Sequence, residues 1–258
     1  MTNITSRDNK ILKLARSLKN KKARQENGLY FVEGKRMCQE AFDFLPDHIY
    51  AVLVSENFEE KNEAFIKKLD ESGKQIYTMR ENLFEEVCDT ETPQGIGVIV
   101  KMSQKELKIE DCSLLLALDG VSEPGNLGTS IRTAEAAGVD GIILFKGCAD
   151  LYNPKVVRST MGSLFRMPCM TGMSPDFLAE CKENGYYITA TALKNSVSIR
   201  DAVKKEKQII IIGSEANGVS DEVLNYSDQR VSIPMAGNVE SLNASVAAGI
   251  AMYIFNDI

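Results

Sequence analysis

Four short, almost uninterrupted apolar runs in the C-terminal half of the chain constrain its fold more than any other feature. They are Leu114–Leu118, Ile142–Phe145, Tyr187–Ala190 and Ile209–Ile212. Apolar runs of this length without alternation are typical of parallel strands that are buried on both faces. Helix-like stretches lie between or after them, near 126–137, 154–162, 175–184 and 241–256. The sequence therefore predicts an α/β domain in which helices flank a parallel sheet.

A smaller α/β pattern precedes this domain. Its strand-like runs are Tyr30–Val32, Ile49–Ser55, Ile76–Met79 and Ile96–Lys101. Helical patterns alternate with them over 8–22, 35–44, 59–71 and 81–88. The polar stretch Ser103–Asp111 has no strong period and is a plausible linker. We therefore expect two domains, residues 1–104 and 105–258.

The formal net charge of −6 hides one basic segment. Residues 1–36 hold ten lysines and arginines against three acidic residues, so this segment carries +7 and the remainder −13. Apolar residues at helical spacing from Ile11 to Leu18 predict an amphipathic helix with a basic outer side. Such a segment in an acidic protein favours a nucleic-acid contact, although a solvated helix face has the same pattern. The candidate contacts are Lys13, Arg16, Lys21, Lys22, Arg24, Lys35 and Arg36, with Lys155, Arg158 and Arg166 as a second group.

Composition excludes several classes of protein. No apolar run approaches the roughly 18 to 20 residues of a membrane span, and the N-terminus lacks the apolar region of a signal peptide, so we expect a cytoplasmic protein. The six cysteines form no CxxC pair and are expected to be reduced and mostly buried. With His48 as the one histidine, a histidine-rich metal site and a hydrolase scheme with a histidine base are both excluded, and we expect no metal.

Three loops follow apolar runs, at the edge where open α/β sheets bind ligands. The first, Asp119–Arg132, is rich in glycine and leads into a helix near Asn126, whose amino end and Arg132 would favour an anion. The second, Gly213–Gly218, begins with a glycine that permits close backbone approach. The third, Ile233–Gly249, leads into a helix of small residues. Each loop taken alone is also compatible with an ordinary strand-to-helix turn.

Together the loops carry NxGxxxR over 126–132, GxExxG over 213–218 and IPMxGxxESLN, then SVA, from 233. In this order they resemble the three motifs of the SpoU (TrmH-like) RNA 2′-O-ribose methyltransferases of the SPOUT superfamily. The resemblance covers the C-terminal domain, with Ala244 where the family often has valine. The basic helix and Phe31–Gly34 resemble the small ribosomal-protein-like RNA-binding domain that often precedes it.

The resemblance implies a trefoil knot in the C-terminal domain, a homodimer, and S-adenosylmethionine bound by the second and third loops. The implied cofactor contacts are Thr191, Leu193, Gly213, Ile233, Met235 and Leu242. The implied catalytic set is Arg132, Asn126, Glu215 and Asn243, with Ser241 a weaker candidate. Because a guanidinium stays protonated under ordinary conditions, we expect Arg132 to hold the RNA phosphate and the 2′-oxygen rather than to act as the base.

Two other functions compete with methyl transfer. A catalytically silent RNA-binding protein could keep the fold, although it has no evident need for all four residues of the catalytic set. A phosphate-binding enzyme built on the loop Gly125–Gly128 is disfavoured, since no phosphate-loop lysine or acidic metal ligand accompanies it. The N-terminal domain favours ribosomal over transfer RNA. The sequence leaves open which nucleotide is modified and whether the methylation serves antibiotic resistance.

Overall fold

The computed structural model describes residues 1–103, 105–239 and 241–256. The chain forms two compact units. The first comprises Met1–Ser103 and Tyr152–Phe165, and the second comprises Gln104–Leu151 and Arg166–Ile258.

The helices and strands fall into two groups. Those of residues 1–103 are β1 (Thr2–Ile4), α1 (Lys10–Ser17), α2 (Lys21–Asn27), β2 (Leu29–Glu33), α3 (Lys35–Phe44), β3 (Ile49–Ser55), α4 (Glu56–Lys61), α5 (Glu63–Glu71), β4 (Ile76–Met79), α6 (Glu81–Glu85) and β5 (Ile96–Lys101). Those that follow are β6 (Leu114–Asp119), α7 (Pro124–Ala136), β7 (Gly141–Phe145), α8 (Pro154–Ser159), β8 (Cys169–Met173), α9 (Phe177–Glu183), β9 (Tyr187–Thr191), β10 (Val197–Ser198), β11 (Gln208–Gly213), α10 (Asp221–Leu224), β12 (Gln229–Ser232) and α11 (Ala244–Phe255).

The first unit is built on a five-stranded mixed sheet in the order β1-β4-β3-β5-β2. Strand β3 pairs in parallel with β4 and antiparallel with β5. The apolar face of α1 packs on this sheet, so Leu12 and Ala15 of the helix join Leu53 and Ile99 of the strands in one buried cluster. Both the basic segment and the sheet edge β2 therefore belong to the folded core of this unit.

The described residues of the second unit form a seven-stranded sheet in the order β10-β12-β9-β11-β6-β7-β8, with parallel pairing throughout. The central strands β11 and β6 are buried along nearly their whole length. This agrees with their continuous apolar sequence, because such strands have no solvent face. The predicted α/β class with a parallel sheet flanked by helices is confirmed.

Two predicted helices are each divided in the structure. The pattern over 8–22 predicted one helix, but α1 ends after Ser17 and α2 begins at Lys21. The side chain of Asn20 caps the second helix by accepting from the amide of Lys22 over 2.8 Å. The pattern over 59–71 is likewise divided at Asn62. Both predictions of a single helix are wrong because asparagine favours helix ends over helix interiors, a signal that apolar spacing does not contain.

The sequence also missed several short strands, β1, β8, β10 and most of β12. They have two to five residues and are mixed in polarity, so neither alternation nor an apolar run marks them. They lie at or beside the ends of the two sheets in strand order. The predicted strands β3, β4 and β5 have the bounds that the structure shows.

The segment Tyr152–Phe165 belongs to the first unit although it lies between β7 and β8 in the sequence. The ring of Tyr152 lies 4.7 Å from that of Tyr30. Arg158 Nη2 donates to the carboxylate of Asp89 over 2.7 Å. The domain boundary at residue 104 stays a prediction. The contacts place Tyr152–Phe165 in the first unit.

All six cysteines are free thiols, and five of them are buried, as predicted. Burial raises the pKa of Cys148 to about 11 and those of Cys169 and Cys181 to about 12. These thiols are therefore poor nucleophiles at neutral pH. Among the described helices, none combines the length and the apolar character needed to cross a bilayer.

Candidate active site

The three sequence motifs begin at adjacent strand ends of the second unit. The strand order places β12, β9, β11 and β6 side by side, and all four run in the same direction. Gly213 at the end of β11 pairs with Asp119 at the end of β6, and Val231 of β12 pairs with Thr191 at the end of β9. The loops that follow these strands therefore leave from one edge of the sheet, where ligands bind in open α/β folds.

The first loop ends in α7, which begins at Pro124 rather than near Asn126 as predicted. Glu123 is its N-cap, and its carboxylate accepts from the amide of Asn126 over 2.7 Å. A Cβ on Gly125 would lie 2.8 Å from that carboxylate, so the glycine makes room for the cap. The anion at this helix terminus is therefore the protein's own, and the expected binding of an external phosphate at these amides is not supported.

The second loop folds back on itself directly after β11. Ser214 and Gly218 exchange two backbone hydrogen bonds, of 3.1 and 2.9 Å. A Cβ on Gly213 would lie 1.9 Å from the carbonyl carbon of Gly218. The sequence predicted that Gly213 lets a ligand approach the backbone closely. In the structure the close neighbour of Gly213 is the backbone of Gly218. Asp119 secures the far end of the loop by accepting from the amide of Ser220 over 2.8 Å.

The third loop ends in α11, whose N-cap is Asn243. The Asn243 Oδ1 atom accepts from the amides of Ser245 and Val246, over 3.0 and 3.3 Å, and from Ser245 Oγ over 2.6 Å. This satisfies donors that a helix N-terminus otherwise leaves without partners. Glu240 of the third motif lies outside the described residues.

Three members of the predicted catalytic set are in contact, one from each loop. Asn243 Nδ2 donates to Asn126 Oδ1 over 2.9 Å. Asn126 Nδ2 in turn donates to the carboxylate of Glu215 through Oε1. Within the described chain, no donor reaches Glu215 Oε2, and the residue is exposed. The site thus presents a carboxylate that is held on one side and open on the other.

Arg132 does not join this set. It lies six residues after Asn126 in α7, which is about 9 Å along the helix axis at 1.5 Å per residue. Its side chain is exposed and has no hydrogen-bond or ion-pair partner among the described residues. Glu215 therefore contacts Asn126 and makes no hydrogen bond or ion pair with Arg132.

The predicted cofactor contacts lie on the loops after β9, β11 and β12. Leu193 is 72% exposed, and Ile233, Met235 and Leu242 are half-buried. Thr191 Oγ1 donates to the carbonyl of Ile211 over 3.1 Å and so ties β9 to β11. Exposed or half-buried aliphatic side chains on these loops suit a purine ring, whose faces need apolar contacts. These residues fit an adenosine-containing cofactor.

The basic segment of the first unit supplies fewer free cations than the sequence suggested. Arg24 is 2% exposed, and its Nη1 atom donates to the carbonyls of Leu18 and Lys19 over 2.8 and 2.9 Å. We therefore correct the prediction that Arg24 contacts RNA, because its buried guanidinium binds backbone carbonyls at the end of α1. Arg16 donates to Glu86 over 2.8 Å, and Lys13 pairs with Asp8 over 2.8 Å.

Four other members of the predicted group lie on α2 and at the start of α3, and all four are exposed. Lys21 and Arg36 have no ion pair within the described residues, and the pair of Lys22 with Glu26 is long, at 3.8 Å. Lys35 Nζ donates to Asn62 Oδ1 over 2.7 Å and keeps its charge exposed. These four side chains are the best candidates in this unit for contacts with phosphate.

The second predicted basic group is divided between the two units. Lys155 and Arg158 belong to the first unit, where Lys155 is exposed and Arg158 binds Asp89 and lies 3.8 Å from Glu33. Arg166 belongs to the second unit and forms two contacts with Glu135. Both arginines are therefore paired with carboxylates.

The sequence missed two residues that organise the site, Glu123 and Ser245. Each had a signal that could have revealed it. Glu123 directly precedes a proline at the first helical position, and Ser245 lies two residues after an asparagine at a helix start. The described residues contain no cluster of three or more side chains that could bind a metal ion.

Two family models match the chain. Residues 113–253 match the SpoU rRNA methylase family, and residues 9–97 match the MRM3-like substrate binding domain. The chain is 36% identical over 253 residues to the 23S rRNA (guanosine(2553)-2′-O)-methyltransferase RlmP of Bacillus subtilis, with 98% of each chain covered.

Solved structures show the same likeness. The AdoMet-bound rRNA methyltransferase from Sinorhizobium meliloti is 30% identical, with a TM-score of 0.86 over 99% of this chain and 97% of that one. The TrmH/SpoU tRNA modifying enzyme of A. aeolicus is also 30% identical, but its TM-score is 0.51 over 57% of this chain and 75% of that one. The likeness to the tRNA enzyme thus covers little more than half of this chain.

Proposed function

The chain belongs to the SpoU rRNA methylase family, and we propose that it transfers a methyl group from S-adenosylmethionine to a ribose 2′-hydroxyl of 23S ribosomal RNA. The observation that carries this proposal is the contact of Asn126, Glu215 and Asn243, one from each of the three motif loops. The length of the likeness supports a ribosomal substrate. The rRNA relatives match the chain over both units, whereas the tRNA enzyme matches little more than half of it.

S-adenosylmethionine, when bound, supplies a methyl group on a positively charged sulfur. The transfer would form a bond from this carbon to the 2′-oxygen, break the carbon–sulfur bond to leave S-adenosylhomocysteine, and pass the hydroxyl proton to a basic group or to solvent. Alignment of the reactants and removal of that proton are therefore the tasks that remain for the protein. Neither task requires a histidine, which agrees with a chain that has only His48.

Each member of the site has a role that its geometry supports. Glu215 Oε2 is open to accept a hydrogen bond from the ribose hydroxyl, while Oε1 is held by Asn126. Arg132 is exposed, so its guanidinium can bind the RNA phosphate and stabilise negative charge on the 2′-oxygen. Leu193, Ile233, Met235 and Leu242 would enclose the adenine, and Thr191 and Gly213 would shape the loops around it.

A methyl-transfer assay tests the proposal. The protein is incubated with radiolabelled S-adenosylmethionine and either 23S rRNA or a tRNA pool, and 2′-O-methylation is mapped in rRNA from cells with and without the gene. We expect label in 23S rRNA and the loss of one ribose methylation, with the position equivalent to guanosine 2553 examined first. Transfer to tRNA alone would overturn the choice of substrate. No binding of S-adenosylhomocysteine at millimolar concentration would instead favour a silent RNA-binding protein.

A homodimer is also part of the proposal. Val246 and Tyr253 of α11 are 49% and 38% exposed, and they lie seven residues apart on one helix face. An exposed apolar stripe of this kind suits a second copy of the chain. Light scattering should give a dimer mass that Val246→Lys converts to a monomer mass. The matched variant Val203→Lys, at a 47% exposed valine outside α11, should stay dimeric.

The trefoil knot, which the family resemblance implies, and the cytoplasmic location, which the composition favours, are also proposals. The order of strands supports the knot, since β11 lies between β9 and β6 and the later strand β12 lies on the far side of β9. A crystal structure in which the path from β11 to α11 can be traced would test it. The free thiols support a reducing compartment, and cell fractionation would test that.

A further inference from the structure

The two side-chain amides of the site are fixed in orientation from both ends of a hydrogen-bond chain. One end is the amino terminus of α11, where backbone N–H groups can only donate. The other end is the carboxylate of Glu215, which, when ionised, can only accept. Between them lie Asn243 and Asn126, each with one donor group and one acceptor group. The ends therefore decide which way each amide faces.

The orientation of Asn243 is set first. Its Oδ1 atom must face the amides of Ser245 and Val246, so its Nδ2 atom must face Asn126. A reversed amide would place NH₂ against N–H groups and lose every one of these bonds. The hydroxyl of Ser245 adds a third donor at 2.6 Å, shorter than both backbone contacts.

The orientation of Asn126 follows from that of Asn243. Its Oδ1 atom accepts from Asn243, which leaves its Nδ2 atom to donate to Glu215 Oε1. Reversal of the Asn126 amide would turn an acceptor toward the carboxylate and release it, and reversal of the Asn243 amide would break its bond to Asn126. The position of Glu215 thus depends on donors at the start of α11, to which it is linked through three successive hydrogen bonds.

We propose that Ser245 is a positioning residue for methyl transfer: its hydroxyl fixes the Asn243 amide and, through Asn126, the carboxylate of Glu215. The inference rests on the proposed function. Ser245 is 8% exposed, so it acts through the chain of amides and has no role in contact with RNA. Two backbone donors to Asn243 remain when the hydroxyl is removed, so the helix cap survives while its hold on the amide weakens.

Kinetics of Ser245 variants test this role. We expect Ser245→Ala to lower kcat about fivefold to tenfold, the value of one hydrogen bond, with KM for RNA and for cofactor unchanged. Ser245→Thr keeps a hydroxyl and should restore most of kcat. The matched control is Ser227→Ala, which removes a hydroxyl that donates to the backbone of Leu224 over 2.7 Å, away from the motif loops.

A second measurement needs no activity. The side-chain NH₂ groups of Asn126 and Asn243 can be followed by NMR of the ¹⁵N-labelled protein as their protons exchange with solvent. Ser245→Ala should speed exchange at both amides, and Ser227→Ala should leave both unchanged. In an Asn126→Ala background, Ser245→Ala should cost no further kcat, because the route to Glu215 is already cut.

The outcomes separate the inference from the function on which it rests. Wild-type protein that transfers no methyl to RNA would overturn the proposed function. An active wild type with equal kcat in Ser245→Ala would overturn the inference alone. The inference would also fall if alanine and threonine variants lose kcat equally, or if neither amide exchanges faster, since a packing role then accounts for the residue.

Discussion

Asn243 Nδ2 donates to Asn126 Oδ1 over 2.9 Å although the two residues lie 117 positions apart in the chain. Each is anchored by the N-terminal turn of a helix, Asn243 as the cap of α11 and Asn126 in the first turn of α7. Helix N-termini with fixed caps hold their side chains in place, which is what a site for aligned methyl transfer requires.

Arg132→Ala should abolish most of the methyl transfer without weakening the cofactor site. Loss of a cation that stabilises developing oxygen charge costs about 100-fold to 1000-fold in kcat. Calorimetry with S-adenosylhomocysteine should give an unchanged Kd, because Arg132 is exposed and makes no hydrogen bond or ion pair with the described residues of the cofactor loops. Arg132→Lys keeps the charge and should recover part of the rate. Near-normal turnover of the alanine variant would contradict the catalytic role of Arg132.

Gly213→Ala should destabilise the second unit and impair cofactor binding together. The new Cβ would lie 1.9 Å from the backbone of Gly218, and neither strand β11 nor its folded-back loop can yield easily. We expect a loss of about 2–3 kcal/mol in the free energy of unfolding. Gly237→Ala is the matched control, since the methyl group that alanine adds there would have no described atom within 4 Å. Equal unfolding midpoints for the two variants in urea would contradict this account.

Arg24→Met should destabilise the first unit even though the residue lies in the basic segment. Two backbone carbonyls at the end of α1 lose a charged donor in a buried place, at a cost of about 2–3 kcal/mol. Lys21→Met, three residues earlier and exposed, should change stability by less than about 0.5 kcal/mol. Urea unfolding compares the two variants. Equal free energies of unfolding for the two variants would contradict the stabilising role of Arg24.

Neutralisation of the exposed cations should weaken RNA binding and lower its salt dependence. Substitution serves better here than truncation, because β2 and α1 belong to the core of the first unit. A variant with Lys21, Lys22 and Arg36 changed to glutamine should reduce the slope of log K against log salt by about 0.7 to 0.9 for each phosphate that the protein no longer neutralises. Cofactor affinity should not change. An unaltered slope would indicate that RNA does not bind at these three residues but at another surface, such as the one around Lys155.

The protein should lose stability as the pH rises above about 9. Burial raises the pKa of Cys169 from 9.0 to about 12, so the unfolded chain releases this proton first. A raised folded-state pKa gives stability that is complete below pH 9 and is lost as the pH approaches 12, by up to about 1.4 kcal/mol per pH unit for each such thiol. Urea titrations at about pH 7.5, 8.5, 9.5 and 10.5 would measure it. Cys169→Ala should have a shallower decline, and an identical slope would argue against the effect.

Much of the second unit could be predicted because its central strands have a distinctive sequence. The runs at Leu114–Leu118 and Ile209–Ile212 are apolar throughout since both faces of β6 and β11 are covered. Short edge strands such as β10 lack that signature, and the break between α1 and α2 depends on the cap made by Asn20. The spacing of apolar residues carries no information about local polar contacts such as this cap.

The candidate site was predictable by residue type but not by contact. The motifs named Asn126, Glu215 and Asn243, yet nothing in their spacing states that one amide bonds the next or that Arg132 is left apart. Arg24 shows the same limit, since it is buried although it is one of ten basic residues in a segment that charge alone treats as uniform. Charge counts register composition and carry no information on burial.

The sequence by itself determined the α/β class, the family and the order in which the motif loops occur, because apolar runs and short motifs are local properties of a chain. Only the tertiary structure decided which loop ends meet. The parallel order β12-β9-β11-β6 brings segments from distant parts of the chain to one sheet edge. Hydrogen bonds form over about 3 Å whatever the separation in sequence, so the amide chain from Ser245 to Glu215 exists only in the folded unit.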